Sequence, residues 1–599
     1  MAIAQNFPTI APSLSLDFAN VQALDPRITY ARASTATYYG TRTALAEQNL
    51  LLQSQTFDNA SWTKARVTAT ADATTAPDGT TTAELLVADV STSQTHSIRQ
   101  SVTTSVLTYT LSVYAKASGL SWIRLSNSTP SVAFAFFNIS TGTIGTVGAN
   151  ANAFISDVGN GWYRCSINFT ATAASNAFDI NLAETDNATL FIGDGTSGVF
   201  LWGAQLEQRS AVTAYTVTTT QPITNYIPVL ETALSGVARF DHNPTTFESL
   251  GLLVEQQSTN LMTYSDDFSN AAWTKTAVTI QSNVFVAPDG TLTMDKLVPD
   301  TGTQLSTVNT SYTPTTAIHA YSVYAKKAEN RYLQLMVSGA SSGYVNFDLE
   351  LGTVSDSSLW SGSIQSVGNG LYRCIAITNA LVATASTWRV VVVPSGTSAR
   401  GASITGNGYS GIYIWGAQLE ALAFPTSYIP TVASQVTRAA DSASMTGTNF
   451  TSWFNNAEFS LYQDIQFQIG SPVRLGDTFA NNIETIRNNQ FSAGVYGSLS
   501  NTAFPTQFYS AAGSPSYPVS AFVANQRQVT AFAMSLNSFA SGYSGAGATA
   551  TPTYNPAAGT FSGLYFGGAI LGANFTGRIR KIAYYPLRLS NTNLQALTS

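Results

Sequence analysis

The chain has 599 residues, a net charge of −6 and only 10% charged residues, where an average soluble protein carries roughly 25%. So few Lys and Arg exclude a nucleic-acid reader, whose affinity comes largely from phosphate neutralisation. Hydrophobic residues at 44% and aromatics at 11% exclude disorder, which leaves a folded chain with a Ser, Thr, Asn and Gly surface and length for roughly three to five domains.

Residues 1–48 form a Pro-punctuated lead-in and then ITYARASTATYYG, which alternates and reads as extended. The opening MAIAQNFPTIAPSL lacks a basic region ahead of a long apolar run, so it does not read as a secretory signal, and synthesis in the cytoplasm is expected. No stretch approaches the ~20 apolar residues that a membrane helix needs.

Next comes a long repeat. The first copy, 49–220, opens with NLLLQSQTFDNASWTK and closes after LWGAQLEQ; the second, 260–432, opens with NLMTYSDDFSNAAWTK and closes after IWGAQLEA. Trp62 matches Trp273, Pro77 matches Pro288, Cys165 matches Cys374 and Trp202 matches Trp415. A unit this long is a duplicated domain, since solenoid periods run roughly 20–50 residues. A connector, 221–259, separates the copies.

Within each copy strands dominate. In the first they are expected at 109–117, 121–126, 133–139, 161–170 and 198–207, rich in β-branched and aromatic residues and bounded by Gly, Asn, Asp and Pro. DVGNGW (157–162) and SVGNGL (366–371) carry Asn-Gly, a strong hairpin signal, and APDGT is a tight turn in both copies. These features predict an all-β chain of antiparallel sandwiches, two jelly rolls of about 165 residues each. The third region, 433–599, reads as another β-sandwich, with Gly/Ala/Ser-rich loops at 540–560 and a short helical tail capped by Ser590.

Strand alternation sorts the faces. It groups Trp202, Ala204 and Leu206 on the core face of LWGAQLE and turns Glu207 outward. It likewise turns Lys116 and Arg164 outward, and the second copy keeps Lys326, Arg373 and Glu420. Retention of all three twice in so weakly charged a chain points to a structural polar face, with a ligand-binding face as the other reading. Outward positions that differ between copies are better specificity candidates. Trp122 and Arg124 in SWIRLS match Tyr332 and Gln334 in RYLQLM, an aromatic beside a polar group that suits stacking on a sugar ring plus a hydrogen bond. Packing at a subunit interface or under a loop is the competing reading.

Catalytic signatures are missing. His96, His242 and His319 share no spacing and none recurs in the other copy, so a His-based metal site or Ser-His-Asp triad is poorly supported. GNGYSG (406–411) matches GxGxxG but precedes a strand where a helix is required, so it reads as a turn. A carboxylate pair from distant strands stays open, whereas the adjacent Asp266 and Asp267 read as loop surface. No cofactor is implied; a structural calcium stays open without EF-hand-like spacing to support it. Cys165 and Cys374, alone in their own domains, read as buried free thiols.

The ordered set NLLxQSxxF…WTK, APDGT, YAKA, DVGNGWYRC, LWGAQLE and SYIPT followed by VTRAAD resembles modules of bacteriophage tail-fibre and head-spike-fibre proteins. Their jelly rolls are similar to carbohydrate-binding modules. GRIRKIAYYPLRLSNTNLQALT resembles the closing strand of concanavalin-like (laminin-G-like) domains. The resemblance runs from about residue 14 onward, although the first copy lacks a full YIPT after Tyr215. It implies a non-enzymatic virion structural protein, a trimer that contacts other virion proteins through residues 1–48 and host-surface polysaccharide through its β-domains. A purely architectural component and a polysaccharide depolymerase are the alternatives.

Overall fold

The computed structural model describes residues 10–467 apart from positions 130–132, 173, 340–342, 380, 382 and 456. Beyond them it describes 492–493, 508–509, 527–535, 538–543, 546–550, 563–567 and 576–598. The chain is all-β, and its named strand pairs are antiparallel.

Each repeat is a sandwich of two six-stranded sheets with the same strand order. In the first copy one sheet runs Thr143–Val147, Ala133–Asn138, Trp122–Thr129, Ser175–Ala183, Ser97–Thr103, Thr63–Ala65. The other runs Asn152–Gly159, Trp162–Thr170, Thr108–Ser118, Gly198–Glu207, Ala83–Ala88, Val67–Thr74. Alternate Leu, Ile, Val and Phe side chains of both inner faces fill the space between them, together with the buried Cys165 and Trp62. Cys374 and Trp273 hold these places in the second copy. Both cysteines are buried free thiols, and burial pushes each thiol well above its usual range.

The alternation breaks in the last strand of each copy. The register slips between Trp202 and Gln205, and Gly203 takes φ +63°, a left-handed conformation that glycine adopts without a Cβ clash. This bulge turns Trp202 away from the core. Leu201, Ala204 and Leu206 face inward, while Trp202 joins Tyr114 and Trp162 on the opposite face. Gly416, with φ +64°, does the same for Trp415.

The third unit is assembled from three separated stretches of chain. Its large sheet runs Arg239–His242, Ser249–Val254, Gly577–Tyr585, Phe459–Phe467, Arg527–Ser535, Ser538–Tyr543, Ala546–Ala550. Leu14–Asp17 also pairs with Gly577–Tyr585, placing Leu14 opposite Tyr584. Thr29–Ala31, Ser442–Thr446 and Gly563–Gly567 make a second, three-stranded sheet. Parts of the lead-in and of the connector are therefore strands of this unit, and two further stretches of them, Ala36–Asn49 and Ile223–Ala233, pair with each other. Residues 540–543 and 546–550, expected as loop, form sheet: Ser538–Tyr543 takes its backbone partners from Arg527–Ser535, and Ala546–Ala550 takes its own from Ser538–Tyr543. Residues 544–545 and 551–560 lie outside the described residues. The tail helix Asn591–Thr598 starts where expected, with Ser590 Oγ accepting from the Asn593 N–H at 3.2 Å.

Both repeats are thus insertions. The first grows from a ribbon of Ala36–Asn49 against Ile223–Ala233, and the second from Ser258–Asn260 against Val436–Arg438. Where the chain crosses between units, Arg32, Arg239 and Arg438 meet Glu255 and Asp441 in a buried ion cluster. Burial alone would push the Glu255 carboxyl up, but the guanidiniums of Arg438 and Arg239 hold it well below the usual carboxylate range.

Candidate functional site

The structural polar face is a buried lock rather than an exposed surface. The segment after Glu207 folds back over the sheet, so Glu207 is fully buried and Arg164 nearly so. Arg164 donates to the Thr213 carbonyl at 2.6 Å and to Ser112 Oγ at 3.1 Å, while the Thr213 hydroxyl and N–H both donate to Glu207. The second copy repeats it: Arg373 donates to the Thr426 carbonyl at 2.8 Å, and Thr426 donates twice to Glu420. Burial raises the Glu207 carboxyl despite the Thr213 hydrogen bond that opposes it. The two lysines stand apart from the lock. Lys326 pairs with Glu47 of the ribbon at 3.2 Å, whereas Lys116 is half-buried beside the turn at Gly161.

Trp122, Arg124, Tyr332 and Gln334 have separate fates. Gln334 is sealed beneath the loop at 396–401: its amide donates to Asn346 and the Ala399 carbonyl and accepts from the Gly401 N–H. Alternation could not show this, because it sees one strand and not what covers it. Arg124 lays its guanidinium 4.7 Å from the Phe134 ring centre, and Tyr332 lies 5.2 Å from the guanidinium of Arg331. Trp122 differs. It is half-buried and lines a cleft of about 610 Å³ together with Asn138, Ser140, Glu184, Asp194 and Ser197. Gly145 makes room for the ring, since a Cβ there would stand 2.6 Å from it.

Matched positions explain why this cleft is open in one copy. The first repeat has Ala117, Ser121, Asn138 and Ser140 where the second has Lys327, Arg331, Asp348 and Glu350. Those four close up as an ion cluster. Arg331 grips Asp348 at 2.6 Å and Glu350 at 2.7 Å, and Lys327 holds Glu350 at 2.8 Å. The small polar residues of the first copy cannot span that space. The result is an aromatic wall beside carboxylate and amide groups, an arrangement that can stack on an apolar ring face and bond the hydroxyls at its edge.

Elsewhere the geometry is structural. Asn407 Oδ1 accepts from the Tyr409 and Ser410 N–H groups, so GNGYSG is a turn leading into Ile412–Glu420, as its context indicated. Asp267 caps a similar turn through Ser269 and Asn270. The histidines are dispersed: His242 touches Gln22 and the Tyr39 carbonyl, His319 the Ala317 carbonyl, and His96 packs on Phe191. Among the described residues no group of three His, Cys, Asp or Glu could hold a metal ion, and no helix is long and apolar enough to cross a membrane.

No protein-family model and no curated protein matches the chain. Among solved structures, the N-terminal CBM22-1-CBM22-2 tandem domain of Paenibacillus barcinonensis Xyn10C aligns over 64% of this chain and 99% of its own, at 10% identity and TM-score 0.19. The LG1-3 region of the laminin alpha2 chain aligns over 82% of this chain and 96% of its own, at 10% identity and TM-score 0.18. Likenesses this distant carry no argument about ligand or activity.

Proposed function

We propose that the chain is a non-enzymatic structural protein of a bacteriophage virion, of the fibre or spike kind, that presents β-sandwich domains for adhesion to host-surface glycans. The ordered motifs of the two repeats and of the tail support the virion setting, and with it a trimer in contact with other virion proteins. The open Trp122 cleft carries the adhesive part. It offers a stacking ring and flanking hydroxyl partners, and repeat 1 alone lines it among the described residues. An architectural role without glycan binding is the second reading, favoured by exposed Val90, Leu190 and Ile192 near the same end.

The test is binding of the full chain to extracted host polysaccharide, with reducing-end release tracked in the same samples. Wild type should bind saturably without release. Trp122→Ala should weaken binding about tenfold, the scale of one lost stacking aromatic. Absence of binding by folded wild type would leave the architectural role standing, and sugar release would overturn both.

A further inference from the structure

The first repeat meets the second across another cleft, of about 380 Å³. One wall is Tyr114, Trp202 and Tyr215 of the first copy; the other is Tyr409, Tyr413 and Lys296 of the second. Trp202 and Tyr409 approach edge to face at 6.4 Å, and the Ala214 N–H donates to the Val284 carbonyl across the joint at 2.7 Å. The Lys296 ammonium sits 4.3 Å from the Tyr409 ring centre and pairs with Glu329 at 2.8 Å.

Two observations separate this cleft from a plain joint. First, the second repeat carries Lys296, Glu329, Tyr409 and Tyr413 where the first carries Leu85, Gly119, Thr196 and Phe200. At the positions that make its wall, the second copy carries hydrogen-bonding groups and one more ring than the first; a joint serving cohesion alone would be held more simply by apolar contact. Second, Arg164 lines the cleft at 9% exposure, and its Nε–H has no hydrogen-bond partner. In the second copy the matching Nε–H of Arg373 donates to Ser322 Oγ at 3.3 Å. A buried donor left without an acceptor carries a desolvation cost that an incoming oxygen would remove.

The charge balance selects the class of ligand. Asp78, Asp157 and Glu329 line the cleft against Arg164 and Lys296, and Lys296 is already paired, so an anion gains little there. Ring faces, carboxylate acceptors and one waiting donor suit an uncharged polyol. We propose that the inter-repeat cleft binds a neutral sugar residue of a glycan chain, its ring against Tyr409 and a sugar oxygen accepting from Arg164 Nε. The ligand class rests on the adhesive reading above; the site does not. With the Trp122 cleft it makes two sites on one chain, and a single glycan or two branches could engage both with a gain in avidity.

The test is calorimetric titration of the full chain with cellobiose, lactose, maltose and N,N′-diacetylchitobiose, with a digalacturonate as the acidic comparison. The variant Tyr409→Thr/Lys296→Leu installs residues that the first copy already carries at the matching places, and its thermal melt is recorded beside the wild type's to check folding; Trp122→Ala serves as the second arm. Two sites in wild type for a neutral disaccharide are expected. The double variant should weaken one of them about tenfold or more and leave the other unchanged. Trp122→Ala should lose the other. A single wild-type site removed by Trp122→Ala and untouched by the double variant would overturn this inference and keep the adhesive reading. A single site lost in the double variant alone would keep the cleft and overturn the Trp122 assignment. No site at all, or preference for the digalacturonate, would overturn the inference.

Discussion

The two repeats share a strand order, a cysteine-centred core and an Arg–Thr–Glu lock, yet treat the corner around Trp122 and Tyr332 in opposite ways. The second copy fills that corner with Lys327, Glu350, Arg331 and Asp348; the first leaves it open with small polar residues around an aromatic ring. Duplication has freed one face to change while the packing beneath stays the same. Interior positions are held by close packing, where even a methylene is felt, whereas a rim position can change charge and size at little cost to stability.

The largest effect is expected when the first copy is made to resemble the second. Ser121→Arg, Asn138→Asp and Ser140→Glu together should close the Trp122 cleft and reduce polysaccharide binding by at least about tenfold. Thermal stability should change by no more than about 1 kcal/mol, because partly exposed ion pairs add little. Retained binding with a correctly formed ion cluster would show that the open corner is not the ligand site.

The shared lock should respond equally in both copies. Thr213→Val and Thr426→Val each remove a hydroxyl that donates to a buried carboxylate while keeping the side-chain shape. Each should cost about 1.5–3 kcal/mol, the range for hydrogen bonds to charged groups. Hydrogen exchange in Gly198–Glu207 and Ile412–Glu420 would measure the two separately. A clear inequality would be traced to the partners that differ, Arg209 at 3.6 Å from Glu207 and the Ser258 hydroxyl donating to Glu420 at 2.6 Å.

The two copies also differ in pH dependence. Glu84 and Asp295 occupy matched places, each accepting a backbone N–H, from Asp58 and Phe268. Burial raises Glu84 from 4.5 to about 7 and Asp295 from 3.8 to about 6. In both the folded state binds the proton more tightly than the unfolded chain. Their contribution to stability is therefore present in full below the unfolded values and is lost as pH rises, through about 6 in the second copy and about 7 in the first. Glu84→Gln should flatten the profile of the first copy between pH 6 and 8 and leave the second unchanged. A Glu84→Gln profile that still falls over that range would assign the titration to another group.

Much was legible without coordinates. The five strands expected in the first copy are observed at Thr108–Ser118, Trp122–Thr129, Ala133–Asn138, Trp162–Thr170 and Gly198–Glu207. Trp122 was legible as a half-exposed ring because alternation is reliable in an unbroken strand. Alternation groups Trp202 with Ala204 and Leu206, but a one-residue bulge at Gly203 puts Trp202 on the opposite face from them, and a bulge is a property of two strands together. Gln334 was misplaced for a related reason: the loop that buries it arrives from some 65 positions along the chain. The inter-repeat cleft carried the signal of Lys296 and Glu329 departing from Leu85 and Gly119, but nothing local shows that these residues face the other copy.

By itself the sequence determined the local grammar of this protein: β-branched and aromatic runs make strands, Asn-Gly and Asp-Gly make turns, and a doubled motif makes a doubled domain. Those outcomes depend on backbone preference and on contacts a few residues apart. The nesting of both repeats within a third unit, the side on which Trp202 lies and the clefts at Trp122 and between the copies were decided only by tertiary structure. They depend on pairings such as Leu14 with Tyr584, whose partners are brought together by the burial of a common core and not by anything either strand encodes alone.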